Sequence, residues 1–249
     1  MISELIKNNT TAQQRVLMAN KLKSIKAVFS RGNLNKLATI HGSDKWGAHW
    51  YTQHYNFHFA AIRKRKMKVF EIGVGGYDSP YMGGNSLRMW KDYFPNSRIY
   101  SLDIYDKSPL NEPRITIFKG SQDDEQILSK INQQHGPFDI IIDDGSHINH
   151  HVIKSFEVLF PLLKDGGIYA IEDTQTSYLE SFGGDAVNLN NNSTMMNFFM
   201  NMIHGINYIE YKPKDYQPSY YEEYINSIHF YHNLVIIHKR KNTEHSNLK

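Results

Sequence analysis

Two short acidic segments in the second half of the chain carry the residues best suited to chemistry. Asp143-Asp144-Gly145-Ser146-His147 directly follows a run of three isoleucines, and Glu172-Asp173 follows a second apolar run. Short apolar runs that end in polar residues predict buried strands. Because neighbouring strands lie about 4.8 Å apart, we expect Asp144, Glu172 and Asp173 to converge at one edge of a sheet.

Three carboxylates that lie close together repel one another unless a cation lies between them. Oxygen ligands suit a hard divalent ion, so we predict Mg²⁺ on Asp144, Glu172 and Asp173, with Mn²⁺ or Ca²⁺ as alternatives. The chain has no cysteine, which excludes thiolate zinc sites, iron–sulfur clusters and disulfides. Any one of these acids could instead cap a following helix, but three acids at two neighbouring strand ends favour a metal.

A histidine in the first acidic segment is suited to proton transfer. His147 follows Asp144 by three residues, and histidine accepts a proton near neutral pH. We therefore predict His147 as a general base beside the metal. His150 and His151 are the alternatives, because they follow closely in the same segment.

Polar residues also occur in or after the three strands that precede the acidic segments. The first strand carries Glu71 and runs into a glycine-rich turn, Asp103 ends the second, and Ser121-Gln122 follow the third. An acid at the end of the second strand can accept hydrogen bonds from ribose hydroxyls. The next helix begins several residues after the glycine turn, which disfavours a pyrophosphate and a dinucleotide. This set suggests S-adenosylmethionine, although Asp103 alone could also be a helix cap.

The sequence pattern from residue 68 onward predicts an α/β fold. Short β-branched runs alternate with amphipathic stretches, which is typical of a doubly wound, mostly parallel sheet covered by helices. Two β-rich segments joined by His232-Asn233 predict a closing antiparallel hairpin. The predicted strands are Val69–Val74, Arg98–Ile104, Ile115–Lys119, Phe138–Asp143 and Gly167–Glu172, and the predicted helices are Ser86–Tyr93, Asp124–Asn132 and Asn149–Leu163.

The residues before this alternating region read as helical. Met18, Leu22, Ile25 and Phe29 recur at helical spacing, and we expect them to form a packing face. The predicted organisation is an N-terminal helical extension over residues 1–66, a main domain over 67–241 and a C-terminal tail over 242–249.

The motifs together resemble a known family. Glu71-Ile-Gly-Val-Gly-Gly-Tyr77, Gly83-Gly-Asn-Ser-Leu-Arg-Met-Trp90, Asp143-Asp-Gly-Ser-His147 and Ile171-Glu-Asp173 are similar to the metal-dependent sugar O-methyltransferases of macrolide biosynthesis. The resemblance covers roughly residues 40–240. It implies a class I methyltransferase fold with a seven-stranded sheet, S-adenosylmethionine as donor, Mg²⁺ on Asp144, Glu172 and Asp173, and His147 as base.

The resemblance also assigns cofactor positions. It implies that His41-Gly42-Ser43-Asp44-Lys45 closes over the cofactor. The chain differs from the macrolide enzymes in its shorter N-terminal region, so the acceptor and the oligomeric state, monomer or homo-oligomer, stay open. The full set of expected cofactor-binding residues is His41, Ser43, Asp44, Lys45, Glu71, Gly73, Gly75, Gly76, Tyr77, Ser86, Asp103, Ser121, Gln122 and Asp144.

Composition narrows the expected partners. The 249 residues carry a net charge of +3 and 13% aromatic residues, which indicates a folded chain without the electrostatic character of a nucleic-acid-binding protein. The basic run Arg63-Lys64-Arg65-Lys66 reads as a solvated helix end. Neither a membrane span nor the apolar core of a secretory signal is evident, so we expect a cytoplasmic protein.

The function predicted from the sequence is an S-adenosylmethionine- and Mg²⁺-dependent O-methyltransferase that acts on a sugar hydroxyl. The sugar would belong to a surface polysaccharide or capsule precursor, or to a natural-product glycoside. Two alternatives are an NAD-dependent oxidoreductase on a Rossmann-like sheet and a non-catalytic S-adenosylmethionine-binding protein. The metal set and the base are both present in the sequence, which counts against the non-catalytic alternative.

Overall fold

A computed structural model of the chain describes residues 11–213 and 215–247. The predicted extension and tail therefore lie partly outside the described residues. The described residues form two compact units. The first consists of those up to Met67 together with Val74–Lys119, and the second consists of Lys68–Gly73 together with those from Gly120 onward. The domain boundaries at residues 66 and 241 stay a prediction.

The strands of the described chain form a seven-stranded sheet in the order β3-β2-β1-β4-β5-β7-β6, as the alternating sequence pattern predicts. Strands β1 to β5 belong to the parallel part, and β7 runs antiparallel to both β5 and β6. The strands are β1 (Lys68–Ile72), β2 (Arg98–Asp103), β3 (Ile115–Lys119), β4 (Ile140–Asp143), β5 (Ile168–Glu172), β6 (Ile225–Tyr231) and β7 (Leu234–Lys239).

The helices of the described residues fall largely where the amphipathic stretches predict them. They are α1 (Ala12–Ala27), α2 (Leu34–His41), α3 (Tyr51–Phe59), α4 (Asn85–Tyr93), α5 (Glu125–His135), α6 (Asn149–Leu162), α7 (Met195–Met200), α8 (Tyr208–Tyr211) and α9 (Tyr220–Tyr224). Asp124 begins α5 because its carboxylate accepts the backbone N–H groups of Gln126 and Ile127. Among these residues, no helix is both long enough and apolar enough to cross a bilayer.

Strand β1 ends earlier than predicted. The sequence suggested a strand to Val74, but β1 stops at Ile72 because Gly73 adopts a φ of +96°. A side chain at Gly73 would place its Cβ 2.0 Å from the carbonyl oxygen of Asp144. The glycine therefore permits both the turn and the close approach of the β1 and β4 ends within the second unit.

Strand order reverses between β1 and β4, both in the second unit. These strands pair in parallel with Val69 opposite Ile140 and Ile72 opposite Asp143. In open α/β sheets, ligands bind outside the carboxyl ends of the strands at such a switch point. The isoleucines of β4 are fully buried, so their packing fixes the point at which the acidic segment leaves the sheet.

The predicted packing face of the N-terminal helix is wrong. Met18, Leu22, Ile25 and Phe29 are 52%, 61%, 56% and 92% exposed. The first three lie on α1 and Phe29 in the 3₁₀ turn that follows it. The buried side of α1 instead carries Asn20 and Ala27. Helical spacing identified a shared face, but it could not tell whether that face meets the rest of the unit.

A buried lysine terminates α6 in the second unit. Nζ of Lys239 donates to the carbonyl oxygens of Phe160 (3.0 Å), Pro161 (2.8 Å) and Leu163 (2.6 Å). The last carbonyl groups of a helix lack partners within the helix, so this ammonium group satisfies three acceptors at once. The pKa of Lys239 is lowered to about 8 because the side chain is buried.

We expect Lys239→Met to lower the free energy of unfolding by about 2–4 kcal/mol, because several buried carbonyl groups lose their donor. Urea unfolding measures this, and the exposed Lys241→Met should change stability by no more than about 0.5 kcal/mol. Since folding lowers the pKa of Lys239, the unfolded chain holds this proton to higher pH. The stability of the wild type relative to Lys239→Met should therefore rise with pH above about 8. A fall with pH would contradict this explanation.

Candidate active site

The carboxyl end of β4 carries two adjacent aspartates with different surroundings. Asp143 is the last strand residue and is buried, whereas the side chain of Asp144 is 25% exposed. Consecutive residues of an extended chain point to opposite sides. The strand therefore directs Asp143 inward and presents Asp144 at the edge, as predicted.

His147 lies beside the carboxylates that the sequence associated with it. Its Nε2 is 3.4 Å from Oδ2 of Asp173 and 3.9 Å from Oδ1 of Asp144. The ligand atoms of these three residues all lie within 4.8 Å of one another. His147 is 23% exposed, so its imidazole is accessible to a substrate proton. This position fits a general base.

A second group in the same unit contains only carboxylates. Ligand atoms of Glu71, Asp144 and Glu172 also lie within 4.8 Å of one another, and Glu71 and Glu172 are buried. Buried charges of like sign are costly unless a cation or protons neutralise them. The oxygen donors fit a hard divalent ion such as Mg²⁺.

The three predicted metal ligands are divided between the two groups. Among the described residues, Glu172 joins Asp144 and Glu71, whereas Asp173 joins Asp144 and His147. Glu172 ends β5, and Asp173 turns the chain with a φ of +54°. The two neighbouring side chains therefore contribute to different groups. The assignment of all three residues to one ion stays a prediction.

Glu71 was expected to bind the cofactor, and the structure places it with the acidic group. Sequence reasoning missed its capacity as a metal ligand. The signal was present, because a glutamate inside a buried strand requires a partner for its charge. What the sequence did not show is that β1 pairs with β4, which places Glu71 opposite Ile142.

The two turns that carry His147 and Asp173 have an uncommon backbone conformation. His147 has a φ of +56° and Asp173 a φ of +54°. The left-handed region costs a residue with a side chain about 1–2 kcal/mol. Such outliers persist where the surroundings hold them, and they are frequent at functional sites.

Asp143 belongs to a buried hydrogen-bond network and does not face the edge of the sheet. Oγ of Ser155 donates to its Oδ2, and Nε2 of Gln122 donates to Oδ1 at 3.1 Å. Burial raises the pKa of Asp143 to about 6, and the hydrogen bonds from Ser155 and Gln122 oppose that rise. Asp143 thus supports the turn from inside, whereas Asp144 faces the site.

Gln122 has both ends of its amide engaged. Nε2 binds Asp143, and Oε1 accepts the backbone N–H of Ser146 at 2.6 Å. A Cβ at Gly145 would lie 2.2 Å from this Oε1, so glycine is needed where the amide crosses the turn. The side chain of Gln122 holds the turn between Asp144 and His147. Its predicted role with the cofactor, like that of neighbouring Ser121, stays a prediction.

The alternative bases have other surroundings. Nδ1 of His151 is 3.0 Å from Oγ of Ser146, and Nε2 of His151 is 3.5 Å from Oδ2 of Asp123. Burial lowers the pKa of His151, and Asp123 opposes this. His150 is exposed and lies edge-on to the ring of His151. Of these three histidines, only His147 lies in a metal-capable group of the described chain.

The first unit carries Asp103 at the end of β2. Its Oδ2 accepts the backbone N–H of Val74 and its Oδ1 accepts that of Tyr105, both at 2.9 Å. A carboxylate has about four lone-pair positions. Asp103 can therefore anchor the start of the glycine-rich loop (residues 74–84) and still accept ribose hydroxyls.

The glycine-rich loop is held by two buried cations that the sequence analysis did not identify. Nζ of Lys107 donates to the carbonyls of Ser79 and Met82, and Nη1 of Arg88 donates to those of Gly83 and Gly84. Arg88 lies in an otherwise apolar stretch of α4, which was the one available signal. The predicted cofactor residues Gly75, Gly76 and Tyr77 have positive φ in this loop, and Ser86 lies in the first turn of α4.

The segment expected to close over the cofactor is largely buried in the first unit. His41 is fully buried, and its Nε2 is 2.8 Å from Oδ2 of Asp92 on α4. Ser43 and Lys45 are also buried, whereas Asp44 is exposed. The bond to Asp92 ties α2 to α4, and a role of the segment in cofactor binding stays a prediction.

Three curated proteins are similar to this chain. The 8-demethyl-8-(2-methoxy-alpha-L-rhamnosyl)-tetracenomycin-C 3'-O-methyltransferase of Streptomyces olivaceus is 41% identical over 88% of this chain and 57% of that protein. Demethylmacrocin O-methyltransferase of Streptomyces fradiae is 43% identical over 86% of this chain and 55% of that protein. Mycinamicin VI 2''-O-methyltransferase of Micromonospora griseorubida is 44% identical over 85% of this chain and 54% of that protein.

A solved structure shares the fold. The MycE methyltransferase from the mycinamycin biosynthetic pathway, in complex with Mg and SAH, matches with a TM-score of 0.83 at 43% identity, over 86% of this chain and 55% of that chain. This chain has the class I methyltransferase fold. The predicted resemblance to sugar O-methyltransferases is confirmed. No family model matches the chain, and it spans a little more than half the length of the curated relatives it matches.

Proposed function

We propose that this chain is an S-adenosylmethionine- and Mg²⁺-dependent O-methyltransferase that methylates a hydroxyl group of a sugar. The observation that carries the proposal is the acidic cluster with His147 at the ends of β4 and β5. Its support is the similarity to three O-methyltransferases and to a methyltransferase solved with Mg and SAH. The acceptor is a natural-product glycoside or a precursor of a surface polysaccharide.

In this proposal the carboxylates bind the metal and His147 accepts the proton. Glu71, Asp144 and Glu172 are the carboxylates best placed to hold Mg²⁺, with Asp173 at the adjoining edge. A divalent ion held by these residues would lower the pKa of an acceptor hydroxyl. Nε2 of His147 faces the same edge, so a hydroxyl held beside the acids delivers its proton to this nitrogen. Asp173, 3.4 Å away, stabilises the resulting imidazolium.

The reaction balances with these groups. The acceptor oxygen forms a bond to the methyl carbon of S-adenosylmethionine as the carbon–sulfur bond breaks. The products are the methyl ether, neutral S-adenosylhomocysteine and a protonated His147. Positioning of the two reactants contributes a large share of catalysis in such a transfer.

Calorimetric titration with S-adenosylhomocysteine, with and without Mg²⁺, tests the proposal, and NAD is titrated in parallel. We expect binding of S-adenosylhomocysteine at micromolar concentration and none of NAD. Binding of NAD alone, or of neither compound, would refute the proposed reaction class.

Asp103→Asn should weaken the binding of S-adenosylhomocysteine by about 10–100-fold, because hydrogen bonds to a charged group contribute about 1.5–3 kcal/mol each. Asp106→Asn is the matched control. Asp106 also accepts a backbone N–H two residues later, but it is not among the predicted cofactor residues. Equal affinities of the two variants would contradict a ribose-binding role for Asp103.

A further inference from the structure

One buried hydroxyl group connects the turns that carry His147 and Asp173. Oγ1 of Thr176 lies 2.8 Å from the carbonyl oxygen of His147 and 3.1 Å from that of Asp173, and it donates toward both. The backbone N–H of Thr176 also donates to Asp173, at 3.1 Å. The main chain therefore fixes Thr176 to the Asp173 turn, and the hydroxyl adds the link to the His147 turn.

The two carbonyl groups belong to the two left-handed residues of the site. His147 and Asp173 both have positive φ, a conformation that surroundings must maintain. A hydrogen bond to the carbonyl of His147 fixes the peptide plane that follows it. The orientation of that plane and the direction of the imidazole are coupled through the same backbone dihedrals.

The main chain of Thr176 is itself held by a hydrogen bond from Asn149. Nδ2 of Asn149, at the start of α6, donates to the carbonyl of Thr176 at 3.1 Å and to that of Phe182 at 2.9 Å. Oδ1 of Asn149 accepts the N–H of Met195 at 2.7 Å. Thr176 is only 4% exposed, so water does not easily replace its hydroxyl.

We propose that Thr176 is a positioning residue, whose hydroxyl locks the turns of His147 and Asp173 together and thereby sets the base against the acidic edge. This inference rests on the proposed function for its catalytic meaning. Without the hydroxyl, the carbonyl of His147 loses its tie to the β5 turn, and the imidazole no longer keeps its 3.4 Å approach to Asp173.

Thr176→Val and Thr176→Ser separate this role from packing. Valine keeps the size and β-branching of threonine but has no hydroxyl, whereas serine keeps the hydroxyl and loses a methyl group. Thr39→Val is an outside control, because it also removes a hydroxyl that donates to a carbonyl, on an exposed helix position. Thermal unfolding checks that each variant is folded.

Two measurements report on the site without turnover. The first is the affinity for Mn²⁺ in the presence of S-adenosylhomocysteine, followed by electron paramagnetic resonance of free Mn²⁺. The second is the ¹H–¹⁵N spectrum of histidine-labelled protein without metal or cofactor, with His147 assigned by its loss in His147→Ala. We expect Thr176→Val to shift the His147 signals and, because the metal-capable Asp144 lies in the same turn as His147, to weaken the affinity for Mn²⁺ by about 10–100-fold. Thr176→Ser should restore both.

The results distinguish the inference from the proposed function. Unchanged His147 signals and Mn²⁺ affinity in folded Thr176→Val would overturn the positioning role, as would equal losses in Thr176→Ser. If the wild type binds neither Mn²⁺ nor S-adenosylhomocysteine, the proposed function fails. The histidine spectrum still decides whether Thr176 sets the imidazole.

Discussion

Glu172→Gln is expected to lower the rate of methyl transfer by about 10³-fold and to weaken Mg²⁺ binding, because Lewis-acid stabilisation contributes several kcal/mol. The change keeps the size of the side chain and removes its charge. Glu172 is buried and shares its group with Glu71 and Asp144, so the change removes one of the three carboxylates that this group offers. Steady-state kinetics across a Mg²⁺ titration measures both effects.

Companion variants identify which carboxylates hold the ion. If the all-carboxylate group is the metal site, Glu71→Gln should reduce Mg²⁺ affinity as strongly as Glu172→Gln. Asp173→Asn should then act more on the catalytic rate than on metal affinity, since Asp173 is the acid near His147. Glu180→Gln, on an exposed carboxylate of the 3₁₀ turn Glu180–Phe182, serves as control and should match the wild type.

Chelation gives an independent measurement. Removal of divalent ions should abolish turnover and leave most of the S-adenosylhomocysteine affinity, because Asp103 and the glycine-rich loop are not part of the acidic groups. Full activity of Glu172→Gln, or of chelated enzyme, would contradict a metal-dependent mechanism.

The sequence predicted the strands well because their signals are local. The isoleucine run of β4 and the apolar run of β5 each end in polar residues, and the structure ends both strands there. Since parallel strands share one carboxyl edge, their order along the chain was sufficient to predict that Asp144 meets Glu172. His147 follows in the same turn, so its approach to Asp144 was also local.

The supporting contacts could not be predicted, because they join residues distant in sequence. Thr176 reaches the carbonyl of a residue 29 positions earlier, and Gln122 reaches the N–H of a residue 24 positions later. Lys107 carries no local sign that its cation will bind loop carbonyls rather than water, and the one local sign for Arg88 is its place in an apolar stretch of α4. The exposed apolar residues of α1 show the same limit, since periodicity identifies a face and not what covers it.

His147→Ala is expected to lower the catalytic rate by about 10²–10⁴-fold, the usual contribution of a general base. The Michaelis constant for the acceptor and the affinity for S-adenosylhomocysteine should change little, because the carboxylates and the glycine-rich loop remain. His150→Ala and His151→Ala are the matched controls, since both lie in the same segment. Of the two, His151 deserves the closer comparison, because its bond to Ser146 supports the turn.

Rescue by added imidazole separates proton transfer from structural damage. His147 is 23% exposed and its Nε2 faces Asp173, so removal of the ring leaves an accessible space beside the acidic edge. Imidazole that enters this space can accept the proton, and the rate of His147→Ala should rise with imidazole concentration. His151→Ala should not respond, because its defect would lie in the position of the turn. A fully active His147→Ala, or a rescue specific to His151→Ala, would transfer the role of base to His151.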